Sequence, residues 1–374
     1  MLQDYLLPIK SIECRAPYAL GNSIQCFTSD GGFPTLTEGA LALVGVDSNA
    51  DVVRSWLYPL ALPCEDITIV DLGNLHEGLS EVDRGAALQA VAEEVFTAEG
   101  SLMVLGGDAS LNFYLYRAYA NLNRVINLAE IAPRFALDED EQITASSYLR
   151  HIVMQQPNYL FQMSTIGYQT YFVGQPYVKL VDDLHFDARR LGEVREHLEQ
   201  AEPLLRNADL LSVDLAAVRQ SDAPGVSRPS AHGFYGEELC LLAHYAGMSD
   251  KMSCVGWYGL NADVDISGQT AQMLSQVIWH FIDGFGHRLN DLPYKAPTSY
   301  KRFAVQLQEE NIELVFLKSK KSDRWWMEVP CRDADRRLRY GHHLLVPCNY
   351  SDYQEAMGNE LPHLWWKHYR WLQE

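Results

Sequence analysis

The stretch from Asn207 to Glu238 contains the side chains best placed to do chemistry in this sequence. It begins with a mostly apolar run over residues 208–215, and the carboxylate of Asp214 lies near the end of this run. Such a run predicts a strand buried on both faces of a parallel sheet, with Asp214 at its carboxyl end. Ligands collect at that edge of open α/β sheets, so Asp214 is a candidate metal-binding or catalytic residue.

The segments around this strand alternate between strand-like and helix-like patterns from residue 40 to residue 290. Short apolar runs predict strands at 41–46, 67–72, 101–105, 125–128, 171–173, 208–214 and 252–257. Apolar residues at helical spacing predict helices over 81–96, from Ser110, over 189–200, from Tyr235 and from Ser267. Strands separated by helices predict a mostly parallel sheet that is covered on both faces.

Composition narrows the class of protein. The net charge of −19 disfavours nucleic acid or an anionic membrane as a partner, because phosphate binding depends on clustered Lys and Arg. No apolar run approaches the roughly 18 residues of a membrane span, which argues against direct membrane insertion. The sequence has no signal-peptide pattern, and its seven cysteines are scattered, so we expect a cytoplasmic protein with reduced thiols.

The C-terminal part of the chain differs in composition. Residues 295–374 carry a net charge of +2, against −21 for residues 1–294. We therefore predict an α/β domain over 1–290 and an aromatic-rich α+β extension over 291–374. Within the extension, residues 302–308 and 312–317 predict a β-hairpin joined by residues 309–311, residues 322–329 a third strand and residues 350–372 short helices.

Five of the eight tryptophans lie in this extension: Trp325, Trp326, Trp365, Trp366 and Trp371. Two interpretations are open. The rings can pack onto the main domain as a satellite core, or some of them can form an exposed interface, where tryptophan is enriched.

Six motifs follow one another along the chain, at 41–47, 69–73, 105–110, 212–216, 261–265 and 269–271. In this order and spacing they resemble the ureohydrolase family, which includes arginase, agmatinase and formiminoglutamase. Residues 147–173 most resemble a bacterial formiminoglutamase-like branch. The resemblance implies the three-layer α/β/α arginase fold and, for active members, two manganese ions that hydrolyse a guanidino or formimino C–N bond.

The family's ligand positions are largely altered in this sequence. Asp214 is intact, and Glu130 is a possible substitute ligand. The remaining positions of the pocket are Ala109, Leu128, Ala132 and Ala216, and Gly259 stands where the family has a substrate-binding Glu. Asp108 belongs to the family signature and is expected to support its loop. We therefore predict a vestigial pocket with no cofactor; manganese is expected only if the chain is a divergent hydrolase.

Two other groups of polar residues have simpler explanations. Residues 182–187, Asp-Asp-Leu-His-Phe-Asp, have metal-like spacing, but acidic residues before a helix are favoured as N-caps. His232 lies on the loop after Asp214, where it can contact a small ligand or satisfy backbone groups. Ser110 and Ser212 have no assignable His partner, so a serine nucleophile is unsupported.

Two functions follow from this sequence. The first is a catalytically inactive ureohydrolase relative that acts as a homo-oligomeric binding or scaffold protein. The resemblance to this branch, whose genes are associated with secretion and gliding, implies a component of such an envelope machine as the unknown protein partner. The second is a divergent metal-dependent C–N hydrolase that acts on a small amidine or guanidino substrate through Glu130 and Asp214.

Overall fold

The main sheet positions the candidate site. The computed structural model describes residues 2–76, 80–308 and 312–373. In these residues, ten strands form one sheet: β1 Leu6–Leu7, β2 Ile24–Cys26, β3 Leu41–Gly45, β4 Ile69–Leu75, β5 Ser101–Leu105, β6 Ile126–Ile131, β7 Leu160–Tyr168, β8 Asp187–Arg190, β9 Leu210–Asp214 and β10 Cys254–Tyr258. The order is β1-β4-β3-β5-β10-β9-β6-β7-β8, with β2 also paired to β4. Only the two-residue β1 pairs antiparallel among the ladders of this sheet in the described chain.

Helices cover both faces of this sheet. They are α1 Asn49–Leu57, α2 Glu81–Thr97, α3 Leu111–Asn121, α4 Tyr148–Val153, α5 Gln175–Asp183, α6 Leu191–Glu196, α7 Glu202–Asn207, α8 Gly236–Gly247 and α9 Gln269–Gly286. Side chains alternate along β3: Leu41 and Leu43 pack in the core with α1, α8 and α9, whereas Ala42 and Val44 pack in the core with α2 and α3. This period of two gives each strand two buried faces and produces the predicted three-layer α/β/α arrangement.

The C-terminal part contains a second, antiparallel sheet. Its strands are β11 Tyr300–Leu307, β12 Ile312–Ser319, β13 Trp325–Glu328 and β14 Leu345–Cys348, in that spatial order. The helices α10 Ala334–Tyr340, α11 Tyr350–Met357 and α12 His363–Gln373 accompany it. The predicted hairpin and third strand are present, although its joining residues 309–311 lie outside the described residues. The domain boundary at residue 290 stays a prediction.

Arg206 at the end of α7 ties this second sheet to the main one. Its guanidinium donates to the carbonyl oxygens of Trp325 and Cys348, both at 3.1 Å, and lies 4.4 Å from the ring centre of Trp326. Arg206 is itself buried and pairs with Glu202 at 2.9 Å. Buried, multiply bonded arginine fixes the orientation of the groups around it, so the two sheets are joined by specific contacts.

Most of the tryptophans in the extension belong to its core. Trp325, Trp326 and Trp365 are buried, and the indole of Trp365 donates to the carbonyl oxygen of Glu328 at 3.0 Å. Trp371 is partly buried against Phe161 of β7, with ring centres 4.3 Å apart. Trp366 is 42% exposed. Burial therefore removes Trp325, Trp326 and Trp365 from the predicted exposed patch, and an interface at the remaining tryptophans stays a prediction.

Three local predictions are wrong. Residues 171–173 are not a strand; a 3-10 turn occupies Thr170–Phe172, and the strand of this region is β7. The predicted helix over 189–200 is the strand β8 followed by the short α6 and a 3-10 turn. Asp182 and Asp183 end α5 instead of capping a following helix.

No described helix combines the length and apolar character needed to cross a membrane.

Candidate functional site

The carboxyl ends of β5, β10, β9 and β6 lie side by side and bring the predicted site residues together. Asp214 at the end of β9 is in register with Tyr258 of β10. On the other side of β9, Glu130 of β6 is in register with Ser212. Asp108 and Ala109 lie just beyond β5, after Gly106 and Gly107. The structure therefore assembles the predicted pocket at one edge of the sheet, as expected for parallel strands.

Asp214 is used locally. Its Oδ1 accepts a 2.9 Å hydrogen bond from the backbone N–H of Ala216, which closes the turn after β9. Loss of solvent raises the pKa of Asp214 from 3.8 to about 6, and the nearby Asp108 adds to the increase. Gly259 follows β10 with φ = +92°, and a Cβ there would lie 3.1 Å from the Asp214 Oδ1 atom. Glycine suits this position because the backbone is left-handed and the carboxylate is close.

Glu130 is fully enclosed and has hydrogen-bond donors on both oxygens. Tyr148 of α4 donates to Oε2 at 2.6 Å, and Thr165 of β7 donates to Oε1 at 2.7 Å. Burial raises the pKa of Glu130 from 4.5 to about 7, even though both hydroxyl donors and their hydrogen bonds oppose the increase. Both oxygens of this carboxyl group are therefore engaged inside the protein.

The hydrogen bonds continue from Tyr148 through Ser212 to α3 and β10. Ser212 interacts with the Tyr148 phenol and accepts from the Nδ2 of Asn112 at 2.8 Å. Asn112 Nδ2 also donates to the carbonyl oxygen of Ala109, and its Oδ1 accepts from the phenol of Tyr258 at 3.1 Å. This chain of contacts, Thr165–Glu130–Tyr148–Ser212–Asn112–Tyr258, is called the edge network below. Because its buried members are paired, the network specifies a filled interior below the sheet edge.

The remaining ligand positions are apolar and packed. Leu128 and Ala109 are buried in the core that contains α2 and α3, with 1% and 8% of their surfaces exposed. Ala132 is 9% exposed, and Ala216 packs against the opposite core. These side chains offer no atom that can coordinate a metal ion.

The donor set does not fit a bridged pair of metal ions. Such a pair needs several carboxylates or imidazoles around ions about 3.5–4 Å apart. Here the pocket supplies Glu130, whose oxygens accept from Tyr148 and Thr165, and Asp214, one of whose oxygens accepts from Ala216. Across the described ranges, no group of three His, Cys, Asp or Glu side chains is arranged to hold a metal ion.

The other predicted candidates make no hydrogen bond to this edge network in the described residues, although Asp108 lies near Asp214. Asp108 is exposed, and its Oδ1 accepts from the N–H of Ser110, which is a local turn contact. His232 is exposed, and its carbonyl oxygen accepts from Gln169 at 3.2 Å. Asp187 is buried in β8, 3.7 Å from the Nζ of Lys367 in α12. Asp187 thus contributes to the docking of the C-terminal helix.

Sequence reasoning missed the residues that fill the site. Tyr148, Thr165, Asn112 and Tyr258 each lie on a different element from Glu130, between 18 and 146 residues from their partners in sequence. A weak signal existed in the sequence. Polar residues within otherwise apolar runs, such as Asn112 in α3 and Thr165 in β7, need buried partners.

Comparison with known proteins gives the family. The family model described as "Arginase family" matches residues 47–283. Formimidoylglutamase of Staphylococcus aureus strain MRSA252 is 24% identical over 249 residues, which cover 64% of this chain and 79% of that protein. Among solved structures, the Bacillus subtilis formimidoylglutamase aligns with a TM-score of 0.64 and 15% identity, over 75% of this chain and 95% of that one. The Trypanosoma cruzi formiminoglutamase with Mn2+2 aligns with a TM-score of 0.61 and 17% identity, over 69% and 98% of the two chains.

These findings correct one prediction and confirm two. The prediction of no cofactor is contradicted, because the family's solved structures include a formiminoglutamase with manganese. The predicted family and the three-layer fold are confirmed. The relatives carry the name of a hydrolase, and the likeness to them extends over more than two thirds of their length. This chain belongs to the arginase family, and its relatives are formimidoylglutamase-like.

Proposed function

We propose that this arginase-family chain acts as a binding protein and does not hydrolyse the C–N bond of a formimino or guanidino compound. The observation that supports the proposal most strongly is the chemistry of the ligand positions. Ala109, Leu128, Ala132 and Ala216 place aliphatic side chains where the resemblance calls for metal ligands. A hydrolytic water needs a positively charged centre or a free base to lower its pKa, and aliphatic groups provide neither.

The hydrogen bonds of Glu130 support the same proposal. A general base must reach a water molecule or substrate with a free lone pair. Glu130 is 1% exposed, and both of its oxygens already accept from hydroxyl groups. Freeing this carboxylate would require Tyr148 or Thr165 to give up a buried hydrogen bond, at a cost of about 1–3 kcal/mol.

A second candidate function is a divergent metal-dependent hydrolase of a small amidine. The comparisons favour it, because the relatives are formimidoylglutamases and structural neighbours include a Trypanosoma cruzi formiminoglutamase with Mn2+2. In this alternative, Asp214 and Glu130 would supply the protein's carboxylates. The partly exposed Asp214 is the residue on which such an activity would depend most directly.

A turnover measurement separates the two functions. The full chain is incubated with manganese, and the release of L-glutamate from N-formimino-L-glutamate is compared with that of an Asp214→Ala variant. The binding proposal expects the same background rate for both proteins. Turnover that exceeds the background and is abolished by Asp214→Ala would establish the hydrolase and overturn the proposal. Arginine and agmatine serve as additional substrates in the same assay.

The proposed binding function needs a partner. The homo-oligomer and the secretion- or gliding-machine component expected from the sequence remain proposals. Trp366 is the tryptophan of the extension that stays most exposed, so it is the one available for such a contact. Trp325, Trp326 and Trp365 are held inside the extension and serve its stability instead.

A further inference from the structure

A cleft of about 690 Å³ lies on the outer surface of the main domain, between α8 and α9. It is separate from the edge network, and none of the residues around it takes part in that network. Its volume falls in the range of about 300–1,000 Å³ that is usual for binding sites. We call it the α8–α9 groove.

The α8 wall is one face of that helix. It consists of Glu237, Cys240, Leu241 and His244, which are spaced by three, four and seven residues. Residues at these intervals lie on the same side of a helix. Leu241 is 37% exposed on this face, whereas its neighbours Leu239 and Leu242 are buried below. The helix therefore presents an apolar residue to solvent in the middle of the groove.

The α9 wall has the same spacing. Gln276, Trp279, His280 and Asp283 line it, and Leu60 and Ala61 complete the groove. The indole of Trp279 donates to the carbonyl oxygen of Ala61 at 2.6 Å, which fixes the largest ring of the wall. Seven residues of helix span about 10 Å. The groove is thus a channel two helical turns long, with its walls along two packed helices, and it suits an elongated occupant.

The charged groups of the groove are acidic. Glu237 lies at its α8 wall and Asp283 at its α9 wall. Asp283 also faces two histidines, His244 at 3.1 Å and His287 at 3.6 Å. Burial and the neighbouring His244 lower the pKa of His280, against the opposing effect of Asp283. A cationic occupant complements these carboxylates, and the chain's net charge of −19 also favours its approach.

A second copy of this chain is a poorer occupant. In a two-fold interface the same patch meets itself, which would bring Glu237 and Asp283 of one copy close to those of the other. Like charges at an interface are unfavourable. An amphipathic helix of another protein suits the groove better. Such a helix anchors in an apolar groove through residues at i, i+3, i+4 and i+7, and both walls of this groove extend over the same number of helical turns.

We propose that the α8–α9 groove binds an amphipathic helix of a partner protein, with Lys or Arg flanking its apolar face. This assignment rests on the proposed binding function and gives the chemistry of its partner. Leu241 and Trp279 contact the apolar face of the bound helix, and Glu237 and Asp283 pair with its basic side chains.

The test uses a fluorescently labelled peptide of about 18 leucine and lysine residues at helical spacing, long enough to form a helix on binding. A peptide of the same composition with alternating leucine and lysine is the control for shape. Binding to the full chain is measured by fluorescence anisotropy. The variant is Leu241→Lys, and the matched variant is Leu338→Lys on α10, where the leucine is 88% exposed and far from the groove residues in sequence.

The proposal expects the helical peptide to bind the wild-type chain at least tenfold more tightly than the alternating peptide. Leu241→Lys should weaken binding at least tenfold, and Leu338→Lys should leave it within twofold. Equal loss in both variants, or equal binding of both peptides, would mean a general charge effect and would overturn the assignment. A wild-type dimer that Leu241→Lys converts to a monomer would also overturn it, because the groove would then be a contact between copies.

The same preparations are assayed for formiminoglutamate turnover, so the two proposals fail separately. If the wild-type chain fails to bind the helical peptide and shows no turnover, the helix assignment alone is overturned. Turnover that depends on Asp214 overturns the proposed binding function on which the assignment rests.

Discussion

The phenol of Tyr148 donates a 2.6 Å hydrogen bond to the carboxylate of Glu130, and both side chains are 1% exposed. Residues 128, 130 and 132, in β6 and directly after it, occupy three of the family's metal-ligand positions, and Glu130 is the acidic residue among them. Its second oxygen accepts from Thr165. The interior at the sheet edge is therefore organised by hydroxyl groups around a carboxyl group.

Glu130→Gln should change how stability depends on pH. The pKa of Glu130 is about 7 in the folded chain and 4.5 ordinarily, so the folded state binds more protons between these values. Its stability therefore falls as pH rises through that window, by up to about 3 kcal/mol at 1.36 kcal/mol for each pKa unit. The neutral amide removes this loss. Urea unfolding at pH 5 and pH 8 should show the variant gaining on wild type at the higher pH.

Glu94→Gln removes one exposed carboxylate from α2 and controls for the change in net charge. If the free energy of unfolding changes by the same amount between pH 5 and pH 8 in Glu130→Gln and in wild type, the raised pKa assigned to Glu130 is refuted.

Tyr148→Phe should destabilise the fold by about 1–3 kcal/mol, because it leaves an oxygen of Glu130 buried without its donor. The matched substitution is Tyr159→Phe, whose hydroxyl donates to Asn123 at the surface at 2.8 Å. That change should cost no more than about 0.5 kcal/mol. The free energies of unfolding of both variants are measured in urea at neutral pH. Equal effects of the two changes would contradict the account.

Acid should loosen the C-terminal extension through His343. This ring is stacked on Phe161 at 4.6 Å and lies 3.3 Å from the Nζ of Lys251. Burial first, and then Lys251, His342 and His368, lower its pKa well below 6.5. The unfolded chain then binds the proton more readily, so stability is complete above about pH 6.5 and is lost as pH falls below it.

His343→Gln should therefore lose less stability than wild type between pH 7.5 and pH 5.5, as followed by tryptophan fluorescence during denaturation. His287→Gln, at an exposed histidine, is the control. His343 lowers the stability of the fold as pH falls, whereas Glu130 lowers it as pH rises. Comparing the two variants with wild type separates these contributions. A wild-type acid transition that His343→Gln leaves unchanged would assign the loss to other groups.

Asp71→Asn should be among the most damaging single changes outside the site. Asp71 of β4 receives two hydrogen bonds from the guanidinium of Arg54 in α1, at 2.6 and 2.9 Å, and one from Tyr58. Arg54 and Asp71 are both fully buried. Asp71→Asn leaves the buried Arg54 with the half-exposed Asp51, at 2.9 Å, as its remaining carboxylate, and should cost about 3–5 kcal/mol in thermal or urea unfolding. The exposed pair Arg190–Glu193 is the control, and Arg190→Gln should cost less than about 1 kcal/mol.

The fold was predictable where a short-range pattern is decisive. β5 begins and ends where its apolar run predicts, and α2 matches its predicted helix within one residue, because both have strong local periodicity. β7 was missed because Gln162, Ser164 and Thr165 interrupt its apolar pattern, yet all three are buried. Gln162 donates to the carbonyl oxygen of His185 and Thr165 donates to Glu130, and a local pattern does not contain the information about such distant partners.

The location of the site was predictable from the sequence, but the hydrogen-bond partners of its residues were not. The positions of Asp214, Glu130 and the aliphatic ligand replacements follow from the motifs, and the strands bring them to one edge of the sheet. The partners of Glu130 depend on how α4 and β7 pack against β6, which only the tertiary structure gives. The prediction of no cofactor failed for a different reason: it was drawn from the residues of this chain alone, whereas the family includes a manganese-containing structure.

The most direct measurement of the central claim is a crystal structure of the full chain grown with manganese, with diffraction recorded at the manganese absorption edge. The account predicts that Glu130 remains hydrogen-bonded to Tyr148 and Thr165 and that the aliphatic ligand positions remain packed. Two manganese ions bridged beside Asp214, with the Tyr148 phenol displaced from Glu130, would contradict it.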